Sequence, residues 1–220
     1  VHDKAGERIL EQTVESAAPK MSVRRRDLRD VVRTLDELSD ELHELPNGDL
    51  VARIVRTSIK LLRDETNRGD VKLIDNAFAE LRYALKVFAP YRDTRKISIF
   101  GSARTPEADA DYKAAEAFGR DMEQNGWMVI TGAGGGIMAA GHGGAGAEGS
   151  FGLNISLPFE QSANEFIHGD PKLVDFKYFF TRKLMFVRSS HAVALFPGGF
   201  GTMDEGFEVL SLPAIAEEVE

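Results

Sequence analysis

Three glycine-rich turns each follow a short apolar run: Gly101-Ser102, the stretch holding Gly132, Gly134, Gly135 and Gly136, and Pro197-Gly198-Gly199-Phe200-Gly201-Thr202. Glycine lets backbone N–H groups approach an anion with no Cβ in the way, and a helix starting just after the turn adds the positive end of its dipole. One such turn is also an ordinary way to join a strand to a helix; three along one edge of a sheet point to a phosphate site. An acid, Glu205, stands next to the third turn. An arginine, Arg182, with Lys183 beside it, sits among Phe179, Phe180, Leu184, Met185, Phe186 and Val187. On a helix Arg182 shares a face with Phe179, Met185 and Phe186, so its guanidinium either reaches a partly buried site or snorkels past apolar neighbours. A carboxylate beside a phosphate-holding turn is placed to act on a sugar bonded to that phosphate. Spacing alone favours another reading of Thr202-Met203-Asp204-Glu205, a helix capping box of the form Ser/Thr-x-x-Glu. Asp204 lies about 100° round the helix from Glu205, so only one of the two can face a ligand.

Other chemistries find less support. Gly132, Gly134 and Gly136 partly match the dinucleotide fingerprint, but the last glycine is too close to the second. No acidic residue closes a following strand, where Asn154, Ile155 and Ser156 stand instead. The lysine of a P-loop is missing, which argues against ATP hydrolysis as the first mismatch argues against NAD. His2, His43, His142, His168 and His191 are scattered with no pair at ligand spacing, so no metal is expected. No serine stands in a GxSxG elbow. The absence of cysteine rules out a thiol nucleophile and disulfides, and agrees with a reducing compartment. A formal net charge of -8 argues against general nucleic-acid binding, since a phosphate backbone is held by surplus Lys and Arg. Arg24, Arg25 and Arg26 are followed closely by acids and read as a solvated face.

The elements that must position these residues follow from the apolar pattern. Val1 to about Met21 has little periodicity, with a short helix possible around Arg8 to Val14 and no apolar core of the kind an export signal needs. Leu28, Val31, Val32, Leu35, Leu38 and Leu42 form one helical stripe, ended by Pro46, Asn47 and Gly48. A second helix is expected from Leu50 to Leu62 and a third from Val71 to Phe88, with Asn67, Arg68 and Gly69 as the break. After Pro90 strands and helices alternate: strands at 97–100, 128–131, 151–157, 174–178 and 192–196, helices at 107–125 and 180–190. The weakly polar stretch Trp127 to Ala147 reads as strand, loop and helix rather than a membrane span, because it is dense in glycine. Alternation of this kind predicts a Rossmann-like, doubly wound parallel sheet over 96–220, with ligands at the carboxyl ends of the strands and a helical N-terminal extension over 1–95.

Phe100-Gly101-Ser102, Thr131 to Met138, Thr181-Arg182-Lys183 and above all the PGGFGTMDE run from Pro197 to Glu205 resemble the LOG family, the cytokinin riboside 5′-monophosphate phosphoribohydrolases often labelled lysine decarboxylases. The resemblance covers about Ile97 to Leu210. It implies Arg182 and Glu205 as the catalytic pair. It also implies a substrate site made by Gly101, Ser102, Gly134, Gly135, Gly136, Met138, Lys183, Pro197, Gly198, Gly199, Gly201 and Thr202. The implied reaction is hydrolysis of AMP or an N6-modified AMP to free base and ribose 5-phosphate, as in cytokinin biosynthesis, with no metal or redox cofactor. Glu205 would stabilise the oxocarbenium-like C1′ and activate water; Arg182 either binds phosphate or steadies charge on the departing base. Nothing in the sequence independently supports a pyridoxal phosphate decarboxylase. The chain departs from the family at Ala139 and Gly143, where relatives often carry Glu and Arg, and family members continue beyond the signature helix while this chain stops at Glu220. The helical extension resembles the longer class, which implies a cytoplasmic homo-oligomer, dimer or larger. A nucleotide carrier or sensor using the same turns without turnover is the alternative.

Overall fold

The computed structural model describes residues 30–31, 33–34, 42, 45–156 and 162–216. The lead-in from Val1 to Met21 lies outside them, as does most of the first expected helix, of which Asp30, Val31, Arg33, Thr34 and Leu42 are seen as helical. The chain divides into two compact units, Val1–Val71 and Lys72–Glu220.

In the first unit, helix α1 (Gly48–Arg63) starts from Asn47, whose carbonyl accepts from Leu50 and Val51 while its backbone takes the left-handed conformation (φ 63°). Helix α2 (Arg68–Phe88) begins sooner than the sequence suggests, because Asn67 caps it: its Oδ1 accepts from the N–H of Gly69 at 2.8 Å and of Asp70 at 3.1 Å. Arg68 and Gly69 are therefore first-turn residues rather than a break.

From Lys72 onward α2 belongs to the second unit. Its Ala84 is fully buried, and Phe88 stacks on Phe151 with ring centroids 4.3 Å apart. Five parallel strands follow: β1 (Lys96–Phe100), β2 (Met128–Thr131), β3 (Ser150–Ile155), β4 (Leu173–Phe176) and β5 (Ala192–Leu195), in the order β4-β3-β2-β1-β5. Helices α3 (Ala110–Gln124), α4 (Ile137–Ala145), α5 (Phe179–Ser189) and α6 (Phe200–Ala216) complete the unit.

Alternation along the strands supplies two cores. Phe100, Met128, Ile130 and Phe151 meet α2 and α5 on one face, through Ala84, Phe88, Met185 and Phe186. Ile97, Ile99 and Val129 meet Ala115 of α3 and Ile137 and Ala140 of α4 on the other. Both faces being covered, the strands are apolar almost throughout, as in other parallel sheets. This is the doubly wound α/β fold that the sequence predicts. Strand β4 is shorter than expected because the N–H of Lys177 turns to Glu80 of α2 at 3.0 Å, leaving the ladder, and Tyr178 becomes the residue before α5. The stretch Trp127 to Ala147 resolves into β2, a loop and α4, and no described helix is long and apolar enough to cross a membrane.

Strands β1 to β4 step outward in one direction, and the chain then returns to lay β5 on the opposite side of β1. The order reverses between β1 and β5. Loops leaving the two strands diverge there, opening a crevice at their carboxyl ends.

Candidate functional site

The three glycine turns meet at that crevice. Phe196 N–H donates to the Phe100 carbonyl at 2.8 Å and Ser102 N–H to the Pro197 carbonyl at 3.1 Å, so the first and third turns are joined; Ile137 N–H donates to the Ser102 carbonyl at 3.0 Å and ties in the second. Glycine is required at two of these joints. Gly136 has φ 58°, and a Cβ there would lie 3.0 Å from the Ala103 carbonyl oxygen; a Cβ on Gly198 would overlap the Thr202 side chain and lie 3.1 Å from Ser102 N.

A cavity of about 620 Å³ opens between the turns, within the size range of small-molecule sites. Nine of the sequence-predicted site residues line it: Gly101, Ser102, Gly134, Met138, Arg182, Gly199, Gly201, Thr202 and Glu205. Gly199 and Gly201 have nothing within 4 Å of where a Cβ would be, so their backbone faces open space. Met138 folds back over the second turn, its Cε 2.6 Å from the place a Gly134 Cβ would take. Gly135, Gly136, Pro197 and Gly198 shape the turns from behind and do not line the cavity.

Arg182 rises from the first turn of α5 and Glu205 from the second turn of α6, and they meet at 3.3 Å between Nη2 and Oε1. Arg182 is 9% exposed, and its guanidinium lies over the rings of Phe179 and Phe186 at 5.2 and 5.8 Å. These are the apolar neighbours that mark it in the sequence, and they hold it by cation–π attraction as well as packing. Burial raises the Glu205 carboxyl above its ordinary pKa, with Arg182 pulling the other way. The site thus holds a carboxylate whose charge is only partly compensated.

Two expectations are corrected here. The capping-box reading fails because α6 already begins at Phe200: Met203 N–H reaches the Gly199 carbonyl at 3.2 Å, and Thr202 is an interior residue of the first turn. Glu205 is therefore released from capping and turns toward Arg182. Lys183 does not line the cavity. It reaches Asp204 at 2.6 Å and Glu208 at 3.2 Å, and the Asp204 hydrogen bond holds its pKa above the ordinary lysine value. This pairing also accounts for Asp204, which faces away as the helical angle requires.

The cavity includes residues the motifs do not announce, among them Arg104, Asn154 and Ser162. Asn154 sits at the carboxyl end of β3 and donates to Asp175 at 2.7 Å. Its end-of-strand position is the signal that singles it out. Arg104 and Ser162 carry no such signal.

Residues 136–219 match the family described as possible lysine decarboxylase. No curated protein matches the chain. Among solved structures it is similar to the structural-genomics target TM1055, at 22% identity over 54% of this chain and 69% of that one with a TM-score of 0.42. It is also similar to the molybdenum cofactor carrier protein of Chlamydomonas reinhardtii, at 21% over 55% and 72% with a TM-score of 0.44. The molybdenum cofactor binding protein of the phototrophic bacterium Rippkaea orientalis gives 24% over 55% and 72% with a TM-score of 0.42. Likenesses this distant carry no argument about ligand or activity. The matched segment holds α4, the Arg182 helix and the whole PGGFGTMDE run, so the family likeness rests on the part of the chain that carries Arg182 and Glu205.

Proposed function

We propose that this protein hydrolyses the N-glycosidic bond of nucleoside 5′-monophosphates, AMP or an N6-modified AMP such as a cytokinin riboside 5′-monophosphate, giving free base and ribose 5-phosphate. The observation that carries the reading is the Arg182–Glu205 pair, 3.3 Å apart at the edge of a cavity built from three glycine turns. In the reaction the C1′–N bond breaks as water adds to C1′; hydroxyl goes to the sugar and the proton to the departing base. Glu205 faces the positive charge that grows on C1′ and orients or deprotonates the water. Arg182 supplies positive charge to the phosphate or to the base as it leaves, and a comparison of KM with kcat in Arg182→Lys separates those roles. Glycine backbone and the start of α6 favour the phosphate. No step needs a metal or redox cofactor.

A non-catalytic carrier or sensor is the competing reading. A phosphate binder gains nothing from a buried carboxylate, whose charge repels the ligand and whose ionisation is penalised by burial. That arrangement makes sense where positive charge must develop during a reaction. Incubating the purified protein with a panel of nucleoside monophosphates and measuring free base by chromatography tests the proposal. Release of base supports it, whereas binding of every candidate without release supports the carrier.

The same proposal includes a cytosolic location and a homo-oligomer. Phe200, Met203, Phe207 and Leu210 form an apolar stripe on α6 at steps of three and four, with Phe200 97% exposed. Taking ~200 Å² for a whole large side chain, their exposed parts amount to roughly 570 Å², a large share of the ~800 Å² each partner contributes to a standard interface. The occupant is a second copy of the chain. Because Phe200 also lines the cavity, this surface adjoins the site.

A further inference from the structure

His142 has no place in the chemistry above, yet it is fully buried, with a pKa that burial pushes below the ordinary histidine value. Its surroundings explain what it does. Nε2 lies 3.0 Å from the Phe151 carbonyl oxygen and 3.0 Å from Thr131 Oγ1, and Nδ1 lies 3.2 Å from the amide nitrogen of Asn164. A carbonyl only accepts, so Nε2 carries the ring hydrogen and Nδ1 is an acceptor. Nδ1, which also lies 3.3 Å from the Asn164 Oδ1, then takes one hydrogen of the Asn164 amide nitrogen, in agreement with the orientation that the Gly134 carbonyl requires. The other hydrogen goes to the Gly134 carbonyl at 2.9 Å, and the Asn164 backbone N–H donates to the Ala133 carbonyl at 2.8 Å.

The two carbonyls caught by Asn164 belong to the peptides that carry the N–H groups of Gly134 and Gly135. In a trans peptide the C=O and N–H point in opposite directions. Pinning both carbonyls to Asn164 therefore turns both N–H groups away from it. Asn164 does not line the cavity, whereas Gly132 and Gly134 do. The conformation needs holding, because Ala133 sits at φ 62°, where a residue with a Cβ is strained, and Thr131 Oγ1 adds a further tie by accepting the Ala133 N–H at 3.0 Å.

We propose that His142 and Asn164 are positioning residues that hold the two peptides flanking Gly134, so that the Gly134 amide faces the anionic group of the ligand. This deepens the reading above and rests on its assignment of a phosphate-bearing ligand to the cavity. The His142 ring sets the Asn164 amide, and the Asn164 amide sets the loop.

The test compares AMP with adenosine, which lacks the phosphate, by calorimetry on the wild type, Asn164→Asp and His142→Gln, with thermal unfolding recorded on each. Asn164→Asp keeps the side-chain shape and removes both donated hydrogens. The expected result is a loss of AMP affinity of about 10-fold or more in Asn164→Asp, with adenosine affinity changed less than about two-fold. Parallel losses for both ligands, or no loss for AMP, overturn the proposal. A wild type that binds AMP no better than adenosine defeats the phosphate reading itself. The positioning chain is then still tested by nitrogen NMR of His142: hydrogen on Nε2 in the wild type and a different protonation pattern in Asn164→Asp support it, and an identical pattern in the two proteins overturns it.

Discussion

Replacing Glu205 by Gln separates catalysis from binding and from folding in one protein. The amide keeps the size of the side chain and an oxygen that can still accept from Arg182, 3.3 Å away, but it removes the negative charge. A unit charge about 4 Å from the developing charge on C1′ contributes roughly 4 kcal/mol at an effective dielectric constant of ~20. That corresponds to a fall in kcat of about 1,000-fold, at 1.36 kcal/mol per decade. AMP affinity should hold or improve, because a negative group is removed from an anion site. Stability should also hold or rise at neutral pH, and the sign follows from linkage. Burial raises the folded-state pKa of Glu205, so its contribution to stability is fully present below the ordinary carboxylate pKa and lost as pH rises through the raised value. At pH 7 the ionised group is a burden that Gln does not carry. The assays are base release under saturating AMP, calorimetric binding, and thermal unfolding. Glu205→Gln with near-normal kcat refutes the reasoning, and so does a loss of AMP binding that matches the loss of rate.

Wild-type kcat/KM should fall on the acid side with an apparent pKa above that of an ordinary carboxylate, since ionised Glu205 is the active form and burial raises its pKa; a pH-rate profile measures it. Arg182→Lys should reduce kcat/KM by about 100-fold or more, because an ammonium cannot reproduce a planar guanidinium held over Phe179 and Phe186 while reaching Glu205. The His142 contribution to stability should fall as pH drops through the ordinary histidine pKa, since the unfolded chain protonates it while the folded chain resists, with Glu205 acting in the opposite sense; denaturant midpoints of wild type against His142→Gln isolate it, the variant losing less stability toward acid. If the proposed homo-oligomer forms through the exposed α6 stripe, Phe207→Asp, which places a charge there, should give a monomer in light scattering where the wild type gives a larger species.

The order of strands and helices is legible because a sheet covered on both faces imposes apolar runs such as Lys96–Phe100 and Ala192–Leu195, separated by glycine turns. Boundaries are less so where long-range bonds decide them. Lys177 leaves β4 for Glu80, nearly a hundred residues earlier, and no local pattern signals that. Arg182 and Glu205 are legible as candidates from an apolar setting and a glycine signature, but their meeting depends on how α5 and α6 pack. The spacing from Thr202 to Glu205 misleads for a physical reason: capping depends on where the first turn begins, and α6 begins two residues before Thr202. His142 gives no sign of its role, because its partners Thr131, Phe151 and Asn164 come together only through the β2–α4–β3 crossover and the loop after β3.

The most direct test of the central claim is a crystal structure of Glu205→Gln with AMP bound. The account predicts the phosphate against the glycine turns that include Gly199 and Gly201, with C1′ facing residue 205 directly or through one water and Arg182 in contact with the nucleotide. AMP bound outside the cavity, or with its sugar turned away from residue 205, contradicts it.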